Sequence, residues 1–153
     1  MKKIGILVLS LTLVVAAANA QNRTAKSLSY KTAAGIKIWN GAGLTLKTFL
    51  DTKNALEFIG FFNSAGTRIS GLYEIHGDLN TESNLKWYIG PGAHVGLYKG
   101  NNTVVGIDGV IGIDYKFKDL PLNLSLDWQP TFEFGSGYGF GGNLGGLGVR
   151  YTF

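Results

Sequence analysis

From Pro121 to Glu133 the chain reads PLNLSLDWQPTFE, and its two parities differ completely in character. Leu122, Leu124, Leu126, Trp128, Pro130 and Phe132 fall on one; Asn123, Ser125, Asp127, Gln129, Thr131 and Glu133 fall on the other. A period of two is the repeat of a β-strand, whose side chains point alternately to opposite faces. The run exceeds the usual length of soluble strands and matches the roughly 9–11 residues that a tilted strand needs to cross a bilayer. The question is which face is the dry one.

The same alternation recurs along the chain. It predicts strands near 31–39, 43–50, 54–62, 67–77, 85–98, 103–118, 121–134 and 143–153. Between them lie Asn40-Gly41-Ala42, Asp51-Thr52-Lys53, Asn63 to Gly66, Asp78 to Asn84, Lys99 to Asn102, Asp119-Leu120 and the glycine-rich 135–142, with the Gly and Asn that tight turns favour. No window carries a helical repeat. Eight strands on short links predict an antiparallel up-and-down meander. Twenty-three glycines and 16% charged residues fit neither a helical bundle nor a disordered tail.

Residues 1–20 carry a basic start (Lys2-Lys3), an apolar run from Ile4 to Ala17 and the small-residue site Ala18-Asn19-Ala20, the layout of a cleaved secretory signal peptide. A loose polar segment, 21–29, and a barrel, 30–153, are expected to follow. Losing two of the fourteen basic residues leaves an excess of two over the ten acidic ones. There is no basic cluster to suggest a nucleic-acid partner. The absence of cysteine excludes disulfides, thiolate metal sites and a lipid-bearing cysteine at the cleavage point.

Charges respect the parity rule. Asp108, Asp114, Lys116 and Lys118 oppose Ile107, Ile111, Ile113, Tyr115 and Phe117; Lys86 and His94 oppose Trp87, Ile89 and Leu97. Arg68, Glu74 and His76 oppose Ile69, Tyr73 and Ile75; Arg150 opposes Leu147, Val149, Tyr151 and Phe153. Lys37, Lys47 and Glu57 fit the same scheme. A soluble sheet would set the apolar face on a core, and a membrane barrel would set it in lipid. Four features favour the barrel: long strands, export, no second layer to cover so wide an apolar face, and a polar face of six cations (Lys37, Lys47, Arg68, Lys86, Lys116, Arg150) against six anions (Glu57, Glu74, Asp108, Asp114, Asp127, Glu133). A confined lumen needs such balance because unpaired buried charge is costly.

The expected fold is therefore all-β, an eight-stranded antiparallel transmembrane barrel whose lumen is filled by side chains rather than open as in a porin. Inward glycines at 90, 92, 96, 106, 112, 146 and 148 would make room for the long residues opposite. The lumen network would comprise the twelve charges above with His94. Leu122, Leu124, Leu126, Trp128, Phe132, Ile107, Ile111, Ile113, Val149 and Tyr151 would face lipid. Hairpin geometry predicts three inward pairs: His94 with Asp108, Lys47 with Glu57, and Asp127 with Arg150.

The last residues, Leu147-Gly-Val149-Arg-Tyr151-Thr-Phe153, resemble the C-terminal strand signal of bacterial outer-membrane β-barrels. Gly106 to Gly109, Tyr115 to Phe117 and Leu122 to Phe132 resemble small outer-membrane barrels of OmpA-like, eight-stranded architecture. The resemblance implies a Gram-negative outer-membrane location among lipid and lipopolysaccharide. It implies recognition of Leu147, Val149, Tyr151 and Phe153 by the barrel assembly machinery and a structural or interaction role in the cell envelope; eight strands need no neighbour to close, so a monomer is expected. Both termini would face the periplasm. Trp87, Tyr115, Phe117, Tyr151 and Phe153 would then form a periplasmic girdle, and Phe62, Phe132 and Phe134 an outer one. Pro91 and Pro130 lie inside strands of a barrel with no free edge, so a bulge or strand end is expected at each.

Chemical signals are thin. His94 beside Asp108 could be a base and its orienting carboxylate, which keeps a lipid- or lipopolysaccharide-modifying enzyme as an alternative, but no serine completes a triad. His76, placed near Lys86, reads as lumen filling. No spacing argues for a metal, and no catalytic residue or cofactor is expected. Gly137-x-Gly139-x-x-Gly142 follows a strand but opens no helix, so it reads as a surface loop rather than a dinucleotide fingerprint. A soluble lipocalin-like binder would need the opposite register, with Leu124, Leu126 and Trp128 inward.

Overall fold

The computed structural model describes residues 30–79, 84–100, 102–135 and 139–153, so the expected leader 1–20, the 21–29 segment and Gly137 lie outside the described residues. Ten strands are present: β1 (Thr32–Ile38), β2 (Ala42–Phe49), β3 (Asn54–Asn63), β4 (Gly66–Asp78), β5 (Leu85–Tyr98), β6 (Asn102–Lys116), β7 (Leu122–Trp128), β8 (Thr131–Phe134), β9 (Gly139–Gly141) and β10 (Gly145–Thr152). No described residue is helical. Every neighbouring pair is antiparallel. The order β5-β4-β3-β2-β1-β10-β7-β6 returns from β6 to β5, closing a barrel of eight staves. β8 prolongs the β7 stave along β6, and β9 prolongs the β10 stave along β8. The expected strand 103–118 stops at Lys116, and the expected loop 135–142 contains β9.

The hairpins follow their turn chemistry. The Asn63 side-chain carbonyl accepts from the backbone N–H groups of Ala65 and Gly66. Gly100 takes a left-handed φ of 87° between β5 and β6. Between β2 and β3 the Asp51 carboxylate accepts from the Asn54 side chain and from the Lys53 and Asn54 N–H groups, with that side-chain bond leading in holding its pKa below the ordinary aspartate value. A depressed carboxyl pKa stabilises the turn above the unfolded-state value, and the contribution fades as pH falls through the folded one. An NMR pH titration is expected to give Asp51 a lower midpoint than an unstructured aspartate.

The prolines behave differently from each other. β7 ends at Trp128, two residues before Pro130, and β8 begins at Thr131, directly after it, while Gly109 N–H still donates to the Pro130 carbonyl at 2.8 Å. On the other flank Trp128 pairs with Gly145 and Thr131 with Gly141, so three residues, 142–144, oppose two. That is a bulge. Pro91 corrects the expectation. β5 runs through it unbroken, and the β4–β5 register is the same at Leu72↔Gly92 and Ile75↔Ile89. Only the pairings of Tyr73 and Glu74 drop out of that ladder, and Pro91 keeps its place opposite Gly109 on β6. The lost N–H is accommodated without an extra residue.

Glycine packing explains how a narrow barrel holds long side chains. Lys37 faces Gly43 and Gly148, Arg150 faces Gly35, Arg68 faces Gly96, Asp108 faces Gly92, His94 faces Gly106, and Asp127 faces Gly112 and Gly146. A Cβ on Gly35 would meet the Val149 carbonyl oxygen and lie 2.6 Å from the Arg150 Cα, both backbone atoms that cannot swing aside. Gly35→Ala is therefore expected to destabilise the barrel by about 1–3 kcal/mol, read as a shifted urea midpoint.

Candidate functional site

The interior is the part of the molecule where chemistry concentrates. Alternation along each strand carries Lys37, Lys47, Glu57, Glu74 and Arg150 to complete burial, and Asp108, Asp114, Asp127, His94, Arg68 and Lys116 nearly so. Ile107, Ile111, Ile113, Leu126, Trp128 and Tyr151 point the other way and are exposed; Leu122, Leu124, Phe132 and Val149 are half-buried on the same outer face. The register needed by a lipocalin-like binder is thus not the one adopted.

The buried charges form two groups. The larger is centred on Arg150, whose guanidinium donates to Glu57, Thr45 (3.2 Å), Asn123 (3.1 Å) and Ser125 (2.7 Å). Lys37 lies 2.6 Å from Asp127 and 3.5 Å from Glu57. Lys47 reaches Glu74 at 2.8 Å, Asp114 at 3.5 Å and Glu57 at 4.0 Å, and sits over the Tyr88 ring. Tyr88 donates to Asp127 at 2.5 Å, and Asn123 donates to Asp114 at 2.7 Å. The smaller group is Arg68 with Asp108 (2.7 Å), Glu133 (3.3 Å), His94 (2.9 Å) and Thr131 (3.2 Å).

Apolar layers bound both groups. Ile59, Leu72, Tyr88 and Val110 pack together inside the barrel, with Phe61 against them. They break the rule that apolar residues face outward, and periodicity gave no warning of them. Tyr30, Ala33, Phe49 and Ala55 form a second cluster near the end that holds the Asp51 turn, where His76 stacks on Tyr88 and lies tilted against Phe49. Among the described residues, salt links and apolar clusters both occupy the interior, as expected of a filled lumen. Planar-bilayer recording is expected to show no open-channel conductance; steps like those of a porin would overturn this description of the lumen.

Three expected pairings fare differently. Lys47 and Glu57 are direct cross-strand partners. His94 and Asp108 touch, Nδ1 to Oδ1 at 2.8 Å, although His94 faces Gly106 and Asp108 faces Gly92, so the contact is diagonal. Asp127 and Arg150 are not a pair: Asp127 faces Gly146 and Arg150 faces Asn123, and each finds other partners, because the β7–β10 register differs by four residues from the one expected. His76 faces Tyr88 rather than Lys86. Lys86 stands half-exposed beside Asp78, and Lys116 donates to the Phe117 and Leu120 carbonyls at the β6–β7 turn, so neither joins the two groups. Sequence reasoning missed Tyr88, Asn123, Ser125, Thr45 and Thr131 as network members. All but Tyr88 and Thr45 shared the polar parity of 121–133 and could have been found there.

Ser70 faces His94 across the β4–β5 ladder, but its hydroxyl accepts from Arg68 Nε at 3.4 Å, and among the described residues no hydrogen bond joins it to His94. Among the described residues no group of three His, Asp or Glu side chains is placed to hold a metal ion. Compared with protein-family models, curated protein sequences and solved structures, the chain matches none of them.

Proposed function

We propose that this barrel is an integral protein of a bacterial outer membrane, with a structural or interaction role in the cell envelope and a closed lumen. One observation carries the reading: polarity is inside out. Among the described residues, twenty-seven large apolar or aromatic side chains are exposed, most of them on the outer face of the staves, while Lys, Arg, Asp and Glu side chains are buried at the barrel's centre. Soluble monomers expose contiguous apolar patches of only about 300–600 Å². Hydrocarbon would stabilise such a belt, and water would not. Rings at both ends of the staves add support. Tyr115–Phe117 and Tyr151–Phe153 pack edge-on near one end and Phe132–Phe134 near the other, where amphipathic aromatics would meet headgroups. Trp39 and Phe140, which periodicity did not single out, are also exposed at the latter end.

Tryptophan fluorescence tests the reading. Of the three tryptophans, Trp87 and Trp128 are exposed on the outer face of the staves, and Trp39 is exposed at the β1–β2 turn. In vesicles of phospholipid brominated along its acyl chains, emission is expected to be strongly quenched, and the protein is expected to stay with the vesicles through a urea wash. Unquenched emission together with release into the wash would overturn it. The outer-membrane address, lipopolysaccharide as neighbour and the role of Leu147, Val149, Tyr151 and Phe153 in assembly belong to the same proposal.

A further inference from the structure

The bulge opposite Pro130 does more than relieve a missing N–H. β1 pairs with β10 only as far as Ile38↔Leu147, and β9 pairs with β8 alone. The wall between the β1–β2 turn and residues 141–145 is therefore unzipped. A cavity of about 220 Å³ lies there, reaching down to Arg68 and Glu133. The other side chains that matter are Trp39, Asn40, Phe61, Tyr98 and Asn143.

Size and chemistry narrow the occupant. Drug-sized ligand pockets run from roughly 300 Å³ upward, so this one takes a single small ring and not a lipid with its chains. Its charged floor is an internal pair, Arg68 with Glu133 at 3.3 Å, backed by Asp108. Within the lining one cation, Arg68, meets one anion, Glu133, which favours neither an anion nor a cation as the occupant. The Glu133 side chain stays a quarter exposed while bound to Arg68, so it can accept further hydrogen bonds. Among the described residues, the Asn40 and Asn143 amides and the Tyr98 hydroxyl have no protein hydrogen-bond partner. Asn63, by contrast, is already occupied in its turn. Amides, a hydroxyl and an Arg–Glu pair offer donors and acceptors side by side, and Phe61 and Trp39 supply flat apolar walls. The geometry points to a binding site for one neutral, polyhydroxylated ring: a monosaccharide, free or as the terminal unit of a glycan. The site goes beyond the membrane proposal and does not rest on it, because the cavity belongs to the barrel whatever surrounds the outer face.

The test uses the full folded chain in detergent micelles, titrated calorimetrically with methyl glycosides of glucose, galactose and N-acetylglucosamine, and with deacylated lipopolysaccharide glycan. Saturable binding of at least one is expected. Asn143→Ala and Tyr98→Phe, each removing one net hydrogen bond, are expected to weaken it roughly two- to tenfold without shifting the melting temperature. Lys99→Ala, a control among exposed turn residues, should leave it unchanged. Equal affinity for methyl glycoside and glycan assigns the site to free sugar; binding of the glycan alone assigns it to a terminal sugar on a polymer. No binding of any of these probes, binding indifferent to both substitutions, or displacement of the sugar by tetramethylammonium would overturn the inference.

Discussion

Arg150→Met is expected to cost the barrel about 3–5 kcal/mol of folding stability, the range found when one member of a buried ion pair is removed and the other stays. Arg150 is fully buried and serves four partners on β2, β3 and β7. Its group holds three cations, Lys37, Lys47 and Arg150, against four carboxylates, Glu57, Glu74, Asp114 and Asp127. Removing a cation worsens an existing acidic excess. Glu74→Gln works in the other direction: it retains a polar group near Lys47 while bringing the group to charge parity, so its cost should be clearly smaller. The double substitution should recover part of the loss of Arg150→Met, since the two sites share Lys47 and Glu57 as neighbours. Urea titrations of the refolded protein, followed by tryptophan emission, measure all three. Equal costs for Arg150→Met and Glu74→Gln would mean that packing volume rather than charge governs the lumen.

Ile111→Lys is expected to destabilise the vesicle-inserted protein by about 2–4 kcal/mol if the substituted position lies near the bilayer midplane. Ile111 sits within the longest stave, half exposed, between Ile89 and Trp128 on the neighbouring strands. The same exposed position on a soluble barrel would tolerate lysine within about 0.5 kcal/mol. The two environments thus differ severalfold in their response to one substitution. A lysine at Lys53, in the exposed β2–β3 turn, is already present and marks where such a charge is harmless. A graded series from Ile111 toward Tyr115 should show the penalty falling toward the rim, and a flat series would remove lipid from the account.

Much of this architecture was legible because strand periodicity is rigid. Once Asp127 and Arg150 are assigned inward, every second residue follows, and eight alternating runs on short links have few ways to close. The registers were less legible. His94 and Asp108 were matched correctly but reached each other diagonally, because strands tilt in a barrel and an inward side chain leans toward residues above or below its ladder partner. Asp127 was matched with Arg150 wrongly, because β10 pairs with β7 four residues out of the expected register and the guanidinium reaches Glu57 instead. Ile59, Leu72 and Val110 were illegible: one apolar residue among polar inward neighbours carries no periodic signature. The Pro130 bulge was partly visible from the proline, but the cavity it opens depends on where β1 stops, which no local pattern states.

The joint between β1 and β10 brings the two ends of the described chain together: Thr152 lies opposite Ala33. Arg150, on one lip of that joint, reaches Glu57 far across the sequence. Sealing the cylinder and neutralising its contents are consequently a single event. A half-rolled ribbon would leave guanidinium and carboxylate groups bare of their counterparts, so the molecule has very little incentive to linger as an open sheet.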